Sequence, residues 1–185
     1  LPAKLIVYEI NTPVWLKTLS KQYGKHITLD TVPDAVLDQL AGVGLDMIWL
    51  MGVWQRSTFG RENALNYKHE YVHALPDLKD EDVIGSAYAI ADYQVDASLG
   101  GRAALAALRE RLRQRGLRLM LDYVPNHVAA DHPWVDHADF VIRGTLDDLK
   151  KRPSDFFQRT DAHGNEFVVA HGRDPLFPGW ADTAQ

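Results

Sequence analysis

Three short apolar runs punctuate the chain, and between them apolar residues return at helical spacing. Residues 4–10 read as a first strand that ends at Asn11, Thr12 and Pro13. Residues 45–53, centred on Ile48, Trp49, Leu50 and Met51, read as a second, and residues 117–124 as a third. A nearly unbroken apolar run suits a strand covered on both faces of a parallel sheet. Pro125 blocks further ladder hydrogen bonding, so the third strand stops there. Between the first two, Val36, Leu37 and Leu40 share a helix face, with Thr31 as N-cap and Gly42 and Gly44 as the close. Between the second and third, residues 101–115 place Leu105, Leu108 and Leu112 inward and stop at Gly116. This alternation predicts parallel pairing through right-handed crossovers.

Two stretches break the rhythm. Residues 54–100 form a long polar connection with weak periodicity, and connections of that length in a compact domain usually carry function. Residues 129–185 show a helical patch near 145–152, then a hairpin that pairs 156–159 with 167–170 around 161–165. Neither an internal repeat nor a low-complexity tract is visible. The pattern is that of an α/β protein with three β/α strands and a loop-rich tail. Because a closed barrel takes eight strands and roughly 250 residues, it predicts an incomplete barrel or a small open sheet.

Composition narrows the chemistry. The 185 residues are 46% hydrophobic and 24% charged, which suits a folded domain or a large piece of one. A net charge of −5 gives no electrostatic reason to expect nucleic acid or an anionic membrane as partner. Arg109, Arg111, Arg113, Arg115 and Arg118 alternate with Leu108 and Leu112 and read as a solvated helix face. The chain has no cysteine, which excludes disulfides, thiolate catalysis and cysteine-based zinc sites. No apolar run is long enough to span a membrane, and Lys4 and Glu9 bracket the apolar N-terminal stretch, so a cytoplasmic protein is the expectation. Five Trp and seven Tyr include several beside strand ends, where flat rings suit sugar faces as well as core packing.

The strand-end residues Asp122, Asn126 and His127 carry the strongest functional signal, because α/β sheets and barrels build their sites past the carboxyl ends of strands. Asp122 lies in an apolar strand, where an unpartnered carboxylate would cost several kcal/mol; it must have partners, and a structural role fits it best. His127 can donate to a sugar hydroxyl, and the Asn126 amide oxygen can meet a hard cation or hold the loop. His69, Glu70 and His73 match the zinc-peptidase pattern. Their context fails, since Pro76 closes the segment and no glutamate follows between Asp82 and Arg109 to serve as third ligand. His127, His132 and His137 recur at a spacing that shares no helix face. Neither a nucleophile elbow nor a Gly-rich phosphate loop occurs.

The segment Asp122, Tyr123, Val124, Pro125, Asn126 and His127 resembles the first conserved region of the α-amylase superfamily, glycoside hydrolase family 13. Residues 84–96 resemble the stretch that precedes it, residues 49–54 the second strand, and residues 172–185 the approach to the fourth. The resemblance implies a partial TIM (β/α)8 barrel over residues 1–128, strands one to three with their helices, and a domain B-like excursion over 129–185, truncated before strand four. It implies an N-terminal portion of a retaining hydrolase or transglycosylase acting on α-glucosidic bonds. His127 would bind hydroxyls, Tyr88 would stack on that sugar, and Asp122 would support the site. Asn126 matches a calcium ligand of many relatives; no other cofactor is implied. The catalytic carboxylates of the family come from strands four, five and seven, so none is expected before Gln185 and the fragment is expected to be inactive alone. The expected partners are α-glucans or α-glucosides, and two open sheet edges favour self-association. The alternative is a non-catalytic carbohydrate-binding or interaction module with the same fold.

Overall fold

A computed structural model describes residues 4–161, 163–174 and 176–185. Ala162, in the predicted hairpin turn, and Pro175, in the 172–185 stretch, lie outside the described residues. In chain order the elements are β1 (Val7–Asn11), α1 (Thr12–Tyr23), α2 (Asp34–Gly42), β2 (Met47–Met51), β3 (Trp54–Arg56), α3 (Thr58–Asn66), α4 (Lys68–Tyr71) and β4 (Ile90–Val95). Then follow α5 (Gly101–Gln114), β5 (Arg118–Leu121), β6 (Val128–Ala129), β7 (Arg143–Gly144), α6 (Leu146–Lys151), β8 (Phe156–Thr160), β9 (Glu166–Ala170) and β10 (Thr183–Ala184). By packing they form two compact units: the chain up to Gln55 with Tyr93–Tyr123, and Arg56–Asp92 with Val124–Gln185. This division is discontinuous, whereas the sequence partition at residue 128 is linear.

The first unit is built on the parallel sheet β1-β2-β5. Val7 pairs with Met47 and Met47 with Arg118, so the three predicted strands lie side by side. Ile48 and Leu50 point into a core completed by Leu16 and Leu19 of α1, Leu37 of α2, and Ala104, Leu108 and Leu112 of α5. The last three recur every four residues, which keeps one helix face inward; Leu105 packs half-buried beside them. The sheet is a mixed α/β assembly of parallel strands and not a closed barrel.

One helix is new and two expectations are overturned. Helix α1 starts where Pro13 ends the strand pattern, because proline at the first turn starts a helix, where its missing N–H would be unpaired anyway. Thr31 does not cap α2: its hydroxyl accepts from the Thr28 N–H at 2.8 Å within a 3-10 turn, and α2 begins after Pro33. The arginines of α5 are not uniformly solvated. Arg111 donates to the Val32 carbonyl and to Asp34, and Arg115 bridges Asp34 and Asp38, with the two arginine side chains only 22% and 18% exposed. Four residues apart, they flank the core-facing stripe and clamp α5 to the start of α2. Hydrogen bonding from Arg111 holds the Asp34 carboxyl below its usual range.

The second unit carries the antiparallel sheet β7-β9-β8, in which Phe156 pairs with Ala170 and Arg159 with Phe167, as the sequence predicts for this hairpin, and the ladder runs one pair further to Thr160 and Glu166. Strands β6 and β10 pair separately, Ala129 opposite Thr183. Val135, Val141, Val169 and Ala184 form one small core, and Phe156, Val168 and Ala170 another. The predicted helical patch is α6, opened by a Thr145–Asp148 capping box. Within the polar connection 54–100 the chain folds β3, α3, α4 and β4, with Ser57 capping α3 by accepting from the Gly60 N–H. Among the described residues no helix is long and apolar enough to cross a membrane.

Candidate functional site

Asp122 finishes the central motif of the first unit. It is 7% exposed, and both carboxylate oxygens are occupied: Trp49 Nε1–H donates to Oδ1 at 2.7 Å and the Gly52 N–H to Oδ2 at 2.6 Å. Its own carbonyl accepts from Trp54 Nε1–H at 2.9 Å. The carboxylate thus ties the turn after β2 to the end of β5, and Gly52 makes that turn possible with φ of 78°. The partners that the sequence demanded exist. A signal for them was present in the Trp49–Trp54 stretch, where two indole donors flank a glycine next to the strand end.

His127, Asn126 and Tyr88 belong to the second unit. There His127 lines a cavity of about 330 Å³ together with Ser86, Tyr88, Val124, Trp180, Asp182 and Thr183. Its Nε2 lies 3.1 Å from the Tyr88 carbonyl, which only accepts, so Nε2 carries the proton. Nδ1 then offers a lone pair to the Asn126 amide N–H, 3.1 Å away. These two partners select the neutral imidazole with hydrogen on Nε2. Burial pushes its pKa below the ordinary value, against the opposing pull of the Tyr88 carbonyl and the Asp182 charge. The Trp180 ring meets the imidazole edge-on with centroids 5.2 Å apart.

The back of the imidazole rests on Gly172. A Cβ there would lie 2.8 Å from both His127 Cβ and Thr183 Oγ1, distances no real side chain tolerates. The Gly172 carbonyl accepts from the Trp180 N–H at 2.8 Å, which brings that indole to the cavity. Burial pushes the Asp182 carboxyl up, partly offset by His127 and His171. His171, itself buried, donates from Nδ1 to the Thr183 carbonyl at 2.9 Å and stacks on Phe157. Trp180, Asp182 and Gly172 escaped the sequence reading as site residues, although they fall in the stretch 172–185 that it singled out.

Asn126 is exposed, with its amide nitrogen turned to His127. A calcium ion takes six to eight oxygens, and among the described residues no group of three or more His, Asp or Glu side chains converges as a metal site. His69 and His73 fall on and just after the single turn α4, with Glu70 3.9 Å from His69. His132 is buried and accepts from the Trp134 N–H through Nδ1, while His137 is exposed.

What this arrangement can do is hold a small polar ring: two aromatic walls, one imidazole and one half-buried carboxyl around a pocket at the lower end of ligand-site volumes. Residues 29–176 match the family model described as alpha amylase, catalytic domain. Among solved structures, an alpha-amylase from Lactobacillus plantarum is 19% identical, covering 98% of this chain and 31% of its own, with a TM-score of 0.53. Trehalose-6-phosphate hydrolase of Bacillus licheniformis is 18% identical over 98% of this chain and 29% of its own, at a TM-score of 0.60. An alpha-glucosyl transfer enzyme is 17% identical over 97% and 30%, at 0.59. At such identities the likeness shows the fold, that of part of the alpha-amylase barrel. The chain spans 29–31% of the length of these structures. No curated protein matches it.

Proposed function

The chain belongs to the alpha-amylase family, and on that premise we propose that it supplies the sugar-holding side of a cleft acting on α-glucosidic bonds. The observation that carries this reading is the His127 cavity. Its Tyr88 and Trp180 rings offer flat faces to the C–H surface of a pyranose. A sugar hydroxyl both donates and accepts, so one entering beside His127 takes the Nε2–H now given to the Tyr88 carbonyl and donates in turn to Asp182. Asn126 keeps Nδ1 unprotonated and the donor on the cavity side. Asp122 supports the strand end from which this segment departs.

The reaction proposed for the whole protein is hydrolysis or glucosyl transfer with retention of configuration. Relatives include a hydrolase and an alpha-glucosyl transfer enzyme. Retention takes two carboxyl groups about 5–5.5 Å apart, one as nucleophile and one as acid and base. Among the described residues that line the cavity, Asp182 alone carries a carboxyl. We therefore assign the reacting pair to further strands of the barrel and expect these 185 residues to bind sugar without turnover. Titration with maltose, followed by Trp fluorescence, tests the reading: His127→Ala should weaken binding about tenfold, or about 1.4 kcal/mol. Equal affinity in that variant would sink the assignment of His127, and nitrophenol release from a nitrophenyl α-glucoside would sink the expected lack of turnover.

A further inference from the structure

We propose that His171, which is not among the residues lining the His127 cavity, is a positioning residue that sets the cavity wall formed by Trp180, Asp182 and Thr183. The inference rests on the sugar-holding role proposed above for that cavity. Between the end of β9 at Ala170 and the start of β10 at Thr183 the described residues form neither helix nor strand. The places of Trp180 and Asp182 are therefore set by the points at which this segment is tied down. The Gly172 carbonyl accepts from the Trp180 N–H at 2.8 Å, and the Trp180 carbonyl accepts from the Thr183 hydroxyl at 2.8 Å and the Thr183 N–H at 3.0 Å. The Thr183 carbonyl in turn accepts from His171 Nδ1–H at 2.9 Å. Two adjacent residues, His171 and Gly172, thus hold Thr183 and Trp180, and Asp182 is caught between them. From another side, the Asp182 carbonyl accepts from the Ala130 N–H at 2.9 Å.

His171 is itself firmly seated. Its N–H donates to the Asp155 carbonyl at 2.8 Å, and its ring lies on Phe157 with centroids 4.7 Å apart and planes within 24° of parallel. Gly179 passes so close that a Cβ there would lie 2.7 Å from His171 Cβ and 2.6 Å from the Ser154 carbonyl oxygen. Burial pushes the imidazole pKa below its ordinary value, against the opposing pull of the Thr183 carbonyl and of the Asp182 and Asp155 charges. The neutral ring with hydrogen on Nδ1 meets these conditions. Packing alone asks for no nitrogen here, since a phenylalanine would stack on Phe157 as well. What an apolar ring lacks is the donor. The Thr183 carbonyl is buried, so without His171 Nδ1–H it is left unpaired, and the segment that carries Trp180 and Asp182 loosens to find another donor.

The test separates the donor from the ring. Asparagine carries an N–H donor in the place of Nδ1–H, whereas phenylalanine keeps the ring and removes the donor. Hydrogen exchange at the Trp180 and Thr183 amides reads the wall without a ligand, and maltose titration followed by Trp fluorescence reads the cavity. His171→Phe should speed exchange at both amides about tenfold and weaken maltose binding about fivefold. His171→Asn should bring both to within about twofold of the wild type, even where its Tm is the lower of the two. Nitrogen NMR of the wild-type imidazole should place the proton on Nδ1, a reading that stands should either variant not fold. Unaltered exchange in His171→Phe, losses that follow Tm across the two variants, or the proton on Nε2 would each overturn the positioning role. A wild type that binds no maltose would refute the sugar reading of the cavity, while exchange at the two amides still decides whether His171 sets the wall.

Discussion

Replacing Asp122 with alanine isolates what the buried carboxylate does for the fold. Two donors lose their acceptor: the Gly52 N–H, 2.6 Å from Oδ2 and buried, and the Trp49 Nε1–H, 2.7 Å from Oδ1 and only partly buried. A hydrogen bond to a charged group contributes about 1.5–3 kcal/mol, and a buried donor left unpaired costs about 1–3 kcal/mol. Gly52 pays the full penalty, whereas the Trp49 indole regains some water. The expected loss for Asp122→Ala is therefore about 3–4 kcal/mol. Asp122→Asn keeps the shape and one acceptor but turns an NH2 group toward the other donor, for about 2 kcal/mol. Urea unfolding followed by Trp fluorescence measures both, with the slope m unchanged if only stability moves. A loss below about 1 kcal/mol in the alanine variant would refute the anchoring role. Reduced maltose affinity in Asp122→Asn at unchanged stability would instead assign the carboxylate to the sugar.

Gly172→Ala pushes a Cβ to 2.8 Å from His127 Cβ and should cost about 1–3 kcal/mol while weakening maltose binding; melting curves with the titration check it, and unaltered affinity would show that His127 is not seated there. Burial holds His132 and His171 below their ordinary pKa of 6.5. The unfolded chain therefore takes up protons first as pH falls, so the stability these groups contribute is present above that value and lost below it. Asp182, whose carboxyl is raised, acts in the opposite sense at lower pH. Urea midpoints should thus fall between about pH 7.5 and about pH 5.5, and a rise would contradict the burial of the imidazoles. Strand β1 pairs on one side only among the described residues and exposes Val7 and Tyr8, with Ile6 exposed just before it, so sedimentation should depend on concentration and Val7→Lys should suppress it; a monodisperse monomer at every concentration counts against this.

The sheet was legible because its determinants are local. Three apolar runs and the spacing of Leu108 and Leu112 survive any change in what lies far along the chain, and β1, β2, β5 and α5 fall where those patterns point. What failed had one of two causes. At Pro13 a single residue carries two opposite local meanings, a stop for a strand and a start for a helix, and only the packing of Leu16 and Leu19 into the core decides between them. At Arg111 and Arg115 the helical pattern is right but the surface is not free, because acidic residues some 77–81 positions away wait beside it. The short elements of residues 54–100 leave no period to read.

The same distinction explains the site. Asp122 and His127 look like one cluster on paper, yet each is defined by partners remote in sequence and housed in different units. Asp122 is answered by Trp49 and Gly52, 73 and 70 residues earlier. His127 is answered by Tyr88, 39 residues earlier, and by Trp180, Asp182 and Gly172 well after it. Residue type and strand-end position were enough to mark both as needing partners, since a carboxylate in an apolar strand and an imidazole past its end each have hydrogen-bonding demands that burial cannot leave unmet. Which partners meet them depends on the fold. The segment 122–127 therefore does two jobs within six residues: its first residue ties the end of β5 to the turn after β2, and Val124 and His127, on either side of Pro125, line the cavity.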